Sequence, residues 1–211
     1  DFAVLHSFTA LSSFFPVTNS DGTHPAGGLI LSGSTLYGTT QGGGPISGPF
    51  MNIAQSGTIF MVNTDGTVFT TLFSDSLAAH PLGRLIASGE TLYGTADDGG
   101  SGRVGSVFKL NSDGTGFATI HTFTNVGVNH IGGFHPYAGL ILSNDILYGT
   151  TYLGGTGGNG TVFKVNTNGA GFMILHHFTS ESPQGTNNDG SNPTGDLVLA
   201  GDTLYGTTSA G

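Results

Sequence analysis

Four copies of the tetrapeptide LYGT, at Leu36–Thr39, Leu92–Thr95, Leu147–Thr150 and Leu204–Thr207, set the tyrosines 56, 55 and 57 residues apart. A period of that size means stacked copies of one supersecondary unit, each too small to bury its own apolar face. The unit can be read off the residues around each copy. Before LYGT stands a short apolar run, Gly28–Leu31, Arg84–Ala87, Gly139–Leu142 or Asp196–Leu199. After it come a glycine-rich loop and a second β-type run, Thr58–Val62, Ser106–Leu110 or Thr161–Val165. A fourth run closes the unit: Phe2–His6, Phe69–Phe73, Phe117–His121 and Phe172–His176. The runs are joined by Gly-, Asn- and Asp-containing turns that demand positive φ, the mark of hairpins. Four short antiparallel strands, a to d, in about 56 residues predict one four-stranded sheet per repeat, and radial packing of such sheets predicts a β-propeller.

The expected fold class is therefore all-β, a β-propeller of about four four-stranded antiparallel blades with the last blade incomplete. Residues 1–211 read as a single repeat domain: a lone strand d over 1–9, repeat one over 24–75, repeat two over 80–124, repeat three over 135–179, and a partial repeat four over 192–211. Strand c of the last repeat is missing from these residues, so one blade edge is expected to be open, and open edges template strand addition.

Glycine is frequent, 38 of 211 residues, but it clusters in pairs and triplets with only 8 Pro, which excludes collagen. Fifteen Phe, 6 Tyr and 36% hydrophobic residues are enough for a core and exclude a disordered chain. Net charge is −9, with four Lys and Arg in all. Without a basic stripe, nucleic acid and anionic lipid are not expected partners, and no apolar run reaches membrane-spanning length. Absence of Cys removes disulfides and thiol chemistry.

Thr150–Gly155 followed by Gly160–Lys164 resembles the glycine-rich bacterial tandem repeats known as GloVer repeats, whose units run LYGTT, a glycine pair, then GTVFK. The resemblance covers essentially the whole chain and implies an exported bacterial protein displayed outside the cell or at its surface, with no assigned activity. The glycine pair after strand b also gives the unit a distant likeness to the kelch blade. Repeat two departs from the pattern: Ala96-Asp97-Asp98 stands where Thr-x-x is expected, and Phe73 stands where the other strands d end in His.

Two sets of residues are candidate contact sites. His24, His80, His135 and Asn192 recur at the repeat period, each followed by Pro, just before the innermost strand. In a closed ring they would approach the axis as ligand-binding groups, or they could simply cap the preceding turn. The second set is apolar and lies in the variable d–a and b–c loops: Phe14, Phe15, Phe50, Met51, Ile53, Ile131, Phe134 and Tyr137. Exposed together, such side chains would form a protein-contact surface. His6, His121 and His176 in strand d read as partly exposed edge residues, and Asp97-Asp98 as a solvated turn, since no spaced run of oxygen ligands supports the calcium site that its acids could otherwise form. No nucleophile elbow, zincin motif or isolated carboxylate pair is present, so no catalytic residue, metal or cofactor is assigned. The expectation is a non-enzymatic extracellular module whose partners are other copies of itself or a neighbouring surface domain, assembling into a fibre or layer. The alternative is a propeller that binds a glycan or small ligand through the His/Asn set, and a further one is a propeller lyase or hydrolase with His80 or His135 as its base.

Overall fold

The computed structural model describes residues 2–11, 19–44, 56–74, 78–124, 131–180, 182 and 186–211. Three repeats each form a four-stranded antiparallel sheet in simple meander order. Repeat one comprises β1 (Ile30–Ser32), β2 (Thr35–Thr40), β3 (Thr58–Asn63) and β4 (Thr70–Phe73). Repeat two comprises β5 (Ile86–Ser88), β6 (Thr91–Ala96), β7 (Ser106–Asn111) and β8 (Ala118–Thr122), and repeat three β9 (Ile141–Ser143), β10 (Ile146–Thr151), β11 (Thr161–Asn166) and β12 (Met173–His177). The fourth repeat supplies β13 (Ser191–Pro193), β14 (Val198–Ala200), β15 (Thr203–Tyr205) and β16 (Thr208–Ala210), which pair as β14–β15 and β13–β16.

Local chemistry explains the repetition. The c–d turns place Gly66, Gly114 and Gly169 at φ of 79, 87 and 88°. Asp65 and Asp113 lock their turns by accepting bonds from the backbone N–H and hydroxyl of the Thr two residues on. Each third strand carries a bulge at one fixed place, Ile59/Phe60, Val107/Phe108 or Val162/Phe163, which bends it and turns the next strand.

The glycine of LYGT is a packing residue. The Phe of strand c lies across it, so that a Cβ built on Gly38 or Gly94 would stand 2.5 Å from the ring of Phe60 or Phe108. Leu29, Leu85 and Leu140 press on Gly38, Gly94 and Gly149 from the strand-a side. Leu85, Phe108, Leu140 and Phe163 are fully buried, and these residues form the heart of each blade.

The joints between repeats are aromatic. His6 stacks on Phe69 at 3.6 Å, Phe73 on Phe117 at 3.9 Å and His121 on Phe172 at 3.7 Å, all nearly parallel. His6 and His121 thus pack at the joints as well as being partly exposed, whereas His176 is exposed on the edge strand β12, as an edge residue should be. His6 and His176 also bond Asp21 and Asp189 at 3.0 and 2.9 Å.

The expected lone strand over 1–9 is corrected as well. Residues 2–9 form no ladder with any of the described strands. They nonetheless occupy the place of a preceding strand d. The carbonyl of Leu5 faces Gly66 as that of Leu72 faces Gly114 and that of Ile120 faces Gly169.

The segments that lead into the first strands come together. Asp196 accepts the Gly139 N–H at 2.7 Å and approaches the Arg84 guanidinium at 3.5 Å, while the Arg84 stem packs against Gly28. One residue from each of the four repeats therefore meets here.

Candidate functional site

The His-Pro and Asn-Pro positions owe their residue types first to the backbone. His24, His80, His135 and Asn192 adopt φ of 56, 53, 58 and 56°, the left-handed region in which Asn, Asp and His are enriched among residues with a Cβ. Their carbonyls are claimed by the segment leaving strand b of the same repeat. Gln41, Asp97 and Tyr152 donate their N–H groups to His24, His80 and His135 at 3.0, 3.0 and 2.9 Å, and the Ser209 hydroxyl bonds Asn192 at 2.9 Å. The N–H groups of His80, His135 and Asn192 reach back to Ser56, Val104 and Asn159 of the preceding repeat's b–c loop. His80, His135 and Asn192 are thus knots between two repeats, and the side chain is left over for other work.

The structure does not gather all four side chains. The His24 ring is exposed and contacts its neighbour Thr23 at 3.1 Å, and the Asn192 amide donates to the Tyr152 carbonyl at 3.1 Å. His80 and His135 do come together, through the two carboxylates that interrupt the repeat-two pattern. His135 Nδ1 lies 2.6 Å from Asp97 Oδ1 and 3.8 Å from Asp98 Oδ1, and His80 Nδ1 lies 3.2 Å from Asp98 Oδ2. Asp97 is buried, and His80, Asp98 and His135 are partly so. Among the described residues, His80, Asp97 and Asp98 form the group whose potential ligand atoms lie within 4.8 Å of one another.

Burial pushes the Asp97 carboxyl above the usual carboxylate range, and the opposing charge and hydrogen bond of His135 recover only part of that shift. Tyr137 and Tyr152 flank the cluster with ring centroids 4.8 Å apart and tilted by 37°, and His135 lies 6.3 Å from Tyr137. Burial raises the Tyr137 hydroxyl, and the negative charge of Asp97 adds to the effect. Two carboxylates, two imidazoles and two phenols thus share one side of the molecule, where the second and third repeats meet.

The dipeptides at the places of Asp97-Asp98 in the other repeats are Gln41-Gly42, Tyr152-Leu153 and Ser209-Ala210. The fold accepts all of these, so it has no need of a buried carboxylate there. That departure from the repeat, and not the recurrence of His-Pro, was the signal for this site in the sequence. Reading Asp97-Asp98 as a solvated turn is corrected by their burial against two imidazoles.

Of the apolar loop set, Phe14, Phe15, Phe50, Met51 and Ile53 lie outside the described residues. Ile131 is exposed, as expected of a contact residue. Phe134 instead pairs with Leu153 in a short bridge and packs on the core of repeats two and three, so it is removed from the contact surface, and Tyr137 belongs to the polar cluster.

A sequence profile described as the Gloeobacter/Verrucomicrobia repeat matches residues 2–211. No curated protein matches in sequence. Among solved structures, a chain of a nidogen/laminin complex is 18% identical over 83% of this chain and 52% of its own, with a TM-score of 0.54. The chain thus spans about half the length of that neighbour. The tricorn protease (13% identity, 93% of this chain and 17% of that one, TM-score 0.49) and TolB from Acinetobacter baumannii (13%, 97% and 43%, TM-score 0.47) are also similar. At these identities the likeness is one of fold, and the fold is of the β-propeller class.

Proposed function

The chain belongs to the Gloeobacter/Verrucomicrobia repeat family, and from that premise we propose that it is a non-enzymatic binding module, displayed outside the bacterial cell, that takes a polyhydroxylated ligand such as a glycan. The observation that carries this reading is the break in the repeat at Asp97-Asp98, where two carboxylates stand in place of neutral residues on the same side as the Tyr137–Tyr152 pair. Carboxylate oxygens accept hydrogen bonds from sugar hydroxyls, and these bonds are stronger than neutral ones. Tyrosine faces offer an apolar platform for the C–H side of a sugar ring, with a hydroxyl at the rim. The very low cation content supports export only as a matter of composition.

The test is a glycan array probed with the 211-residue chain, followed by calorimetry on any hit with Tyr152→Ala and Asp98→Asn. Each variant should weaken binding about tenfold, 1.4 kcal/mol, while keeping the wild-type thermal midpoint. A silent array, or hits indifferent to both substitutions, removes the reading.

A second reading, association with another copy of the chain, is favoured by the single ladder partner of β15 and by the exposure of Val198 and Tyr205 beside it. Light scattering on this chain and on one carrying an added strand c would separate the two: oligomers of the first that dissociate in the second support association, and monomers throughout reject it.

A further inference from the structure

We propose that His80, Asp97 and Asp98 form a binding site for a first-row divalent metal ion, with His135 as the residue that orients Asp97. The proposal rests on the ligand-binding reading of this face and gives it a chemistry: an ion with free coordination positions that an oxygen-rich ligand completes.

The donor set argues for this class of ion. An imidazole nitrogen with two carboxylates suits Zn²⁺, Mn²⁺ or Ni²⁺, whereas Ca²⁺ and Mg²⁺ prefer oxygen alone. The geometry is close to what an ion needs. Donors around a tetrahedral ion at 2.0–2.2 Å stand about 3.4 Å apart. His80 Nδ1 and Asp98 Oδ2 are already 3.2 Å apart, and the widest separation in the set is under 4.8 Å. Small rotations of two carboxylates would close the remainder. His135 Nδ1, 2.6 Å from Asp97 Oδ1, stands as the hydrogen-bond partner that fixes a carboxylate ligand, the arrangement that sets ligand direction around protein-bound metals.

The backbone prepares the site independently of the side chains. His80 is held at φ 53° by its N–H bond to Ser56 and its carbonyl bond from Asp97, so the ring and the first carboxylate are tied by one hydrogen bond. Among the described residues, the partners of these carboxylates are His80 and His135, both of the same cluster. The equivalent dipeptides in the other repeats carry no acid, and two acids this close, one of them buried, disfavour each other's charge, which a cation bound between them would offset. Three protein ligands leave room for others, which is the open coordination of a site that binds something through its metal.

The test is calorimetric titration of EDTA-treated, tag-free chain with Zn²⁺, Mn²⁺ and Ca²⁺, together with the visible spectrum of the Co²⁺ form. One equivalent of Zn²⁺ or Mn²⁺ should bind and raise the thermal midpoint, and Ca²⁺ should bind at least tenfold more weakly. His80→Asn keeps a residue suited to positive φ, as Asn192 shows, and with Asp98→Asn it should abolish binding while the metal-free thermal midpoint stays at the wild-type value. His135→Asn should retain one equivalent but weaken it about 10- to 100-fold. No binding to the wild type, or equal binding to the His80 and Asp98 variants, overturns the proposal. Repeating the glycan measurements in EDTA separates the two ideas. Glycan binding that survives chelation keeps the ligand reading and rejects a metal-bridged ligand, whereas metal binding without any glycan keeps the site and rejects that ligand.

Discussion

Replacing His121 by Phe tests the aromatic joints through pH. His121 stacks on Phe172 and meets Phe123 edge-on at 4.9 Å, and burial there lowers its pKa from 6.5 to about 4. Between those values the unfolded chain takes up a proton that the folded chain refuses, so stability is lost as pH falls from about 6.5 towards 4. Linkage with these two pKa values gives a loss of about 2 kcal/mol at pH 5 relative to neutral pH. The ring is partly exposed, and solvent screening reduces this to about 1 kcal/mol. The equivalent joint one repeat earlier already uses Phe73 on Phe117, so Phe has a precedent in this packing and should cost under about 1.5 kcal/mol at neutral pH. The measurement is urea unfolding of wild type and His121→Phe at several pH values between 5 and 7.5. The variant should gain about 1 kcal/mol on the wild type across that range. A difference constant to within about 0.3 kcal/mol would refute the reasoning and would mean that the Phe172 face stabilises the imidazolium as much as burial penalises it.

Gly94→Ala drives a methyl into Phe108 and Leu85, both fully buried, and should lower unfolding stability by about 1–3 kcal/mol; Gly206→Ala, which meets only Leu197, should cost less in the same denaturant assay. Asp21→Asn weakens the acceptor of the Thr9 N–H, the Thr9 hydroxyl and the His6 ring and should cost about 1–3 kcal/mol at pH 7. Burial opposes ionisation of Asp21, but the Thr9 and His6 bonds outweigh it and hold its pKa below 3.8. Its contribution is therefore present above about pH 4 and lost as pH falls through the lower folded value, so the difference between variant and wild type should shrink in acid melts. Asp196→Ala leaves the Gly139 N–H without its acceptor and Arg84 without its partner; because the pair is exposed, a midpoint change of only about 1 kcal/mol is expected by urea titration.

The sheets were legible because each strand carries its own punctuation. LYGT, the Phe of strand c and the Asx-Gly turns recur with their spacing, and the pairings Tyr37↔Met61, Tyr93↔Lys109 and Tyr148↔Lys164 repeat the same register. Residues 2–9 show the limit of that reading: the Phe2–His6 pattern was sufficient for a strand, but a ladder needs a neighbour that the pattern does not contain. The candidate site was half legible. The period located His80 and His135 but treated four positions as equivalent, when left-handed backbone alone explains why all four are His or Asn. Asp97 and Asp98 were visible as an irregularity, yet sequence could not show that a turn beside strand b faces the His of its own repeat and the His of the next. The joint packing of His6 and His121 was missed for a related reason, because stacking across a joint leaves no trace in local periodicity.

The left-handed His-Pro knots have a consequence for how such arrays diversify. A backbone that tolerates few residue types at one place per repeat keeps a nitrogen or amide donor there for conformational reasons, before any ligand is involved. New chemistry then needs only two substitutions in the turn after LYGT, at the end of a strand whose register is already fixed. Repeat one offers such a socket, with neutral residues in the turn. Grafting Asp-Asp in place of Gln41-Gly42 would fill the one beside His24, and a chain of such repeats could hold several different sites without any change to its scaffold.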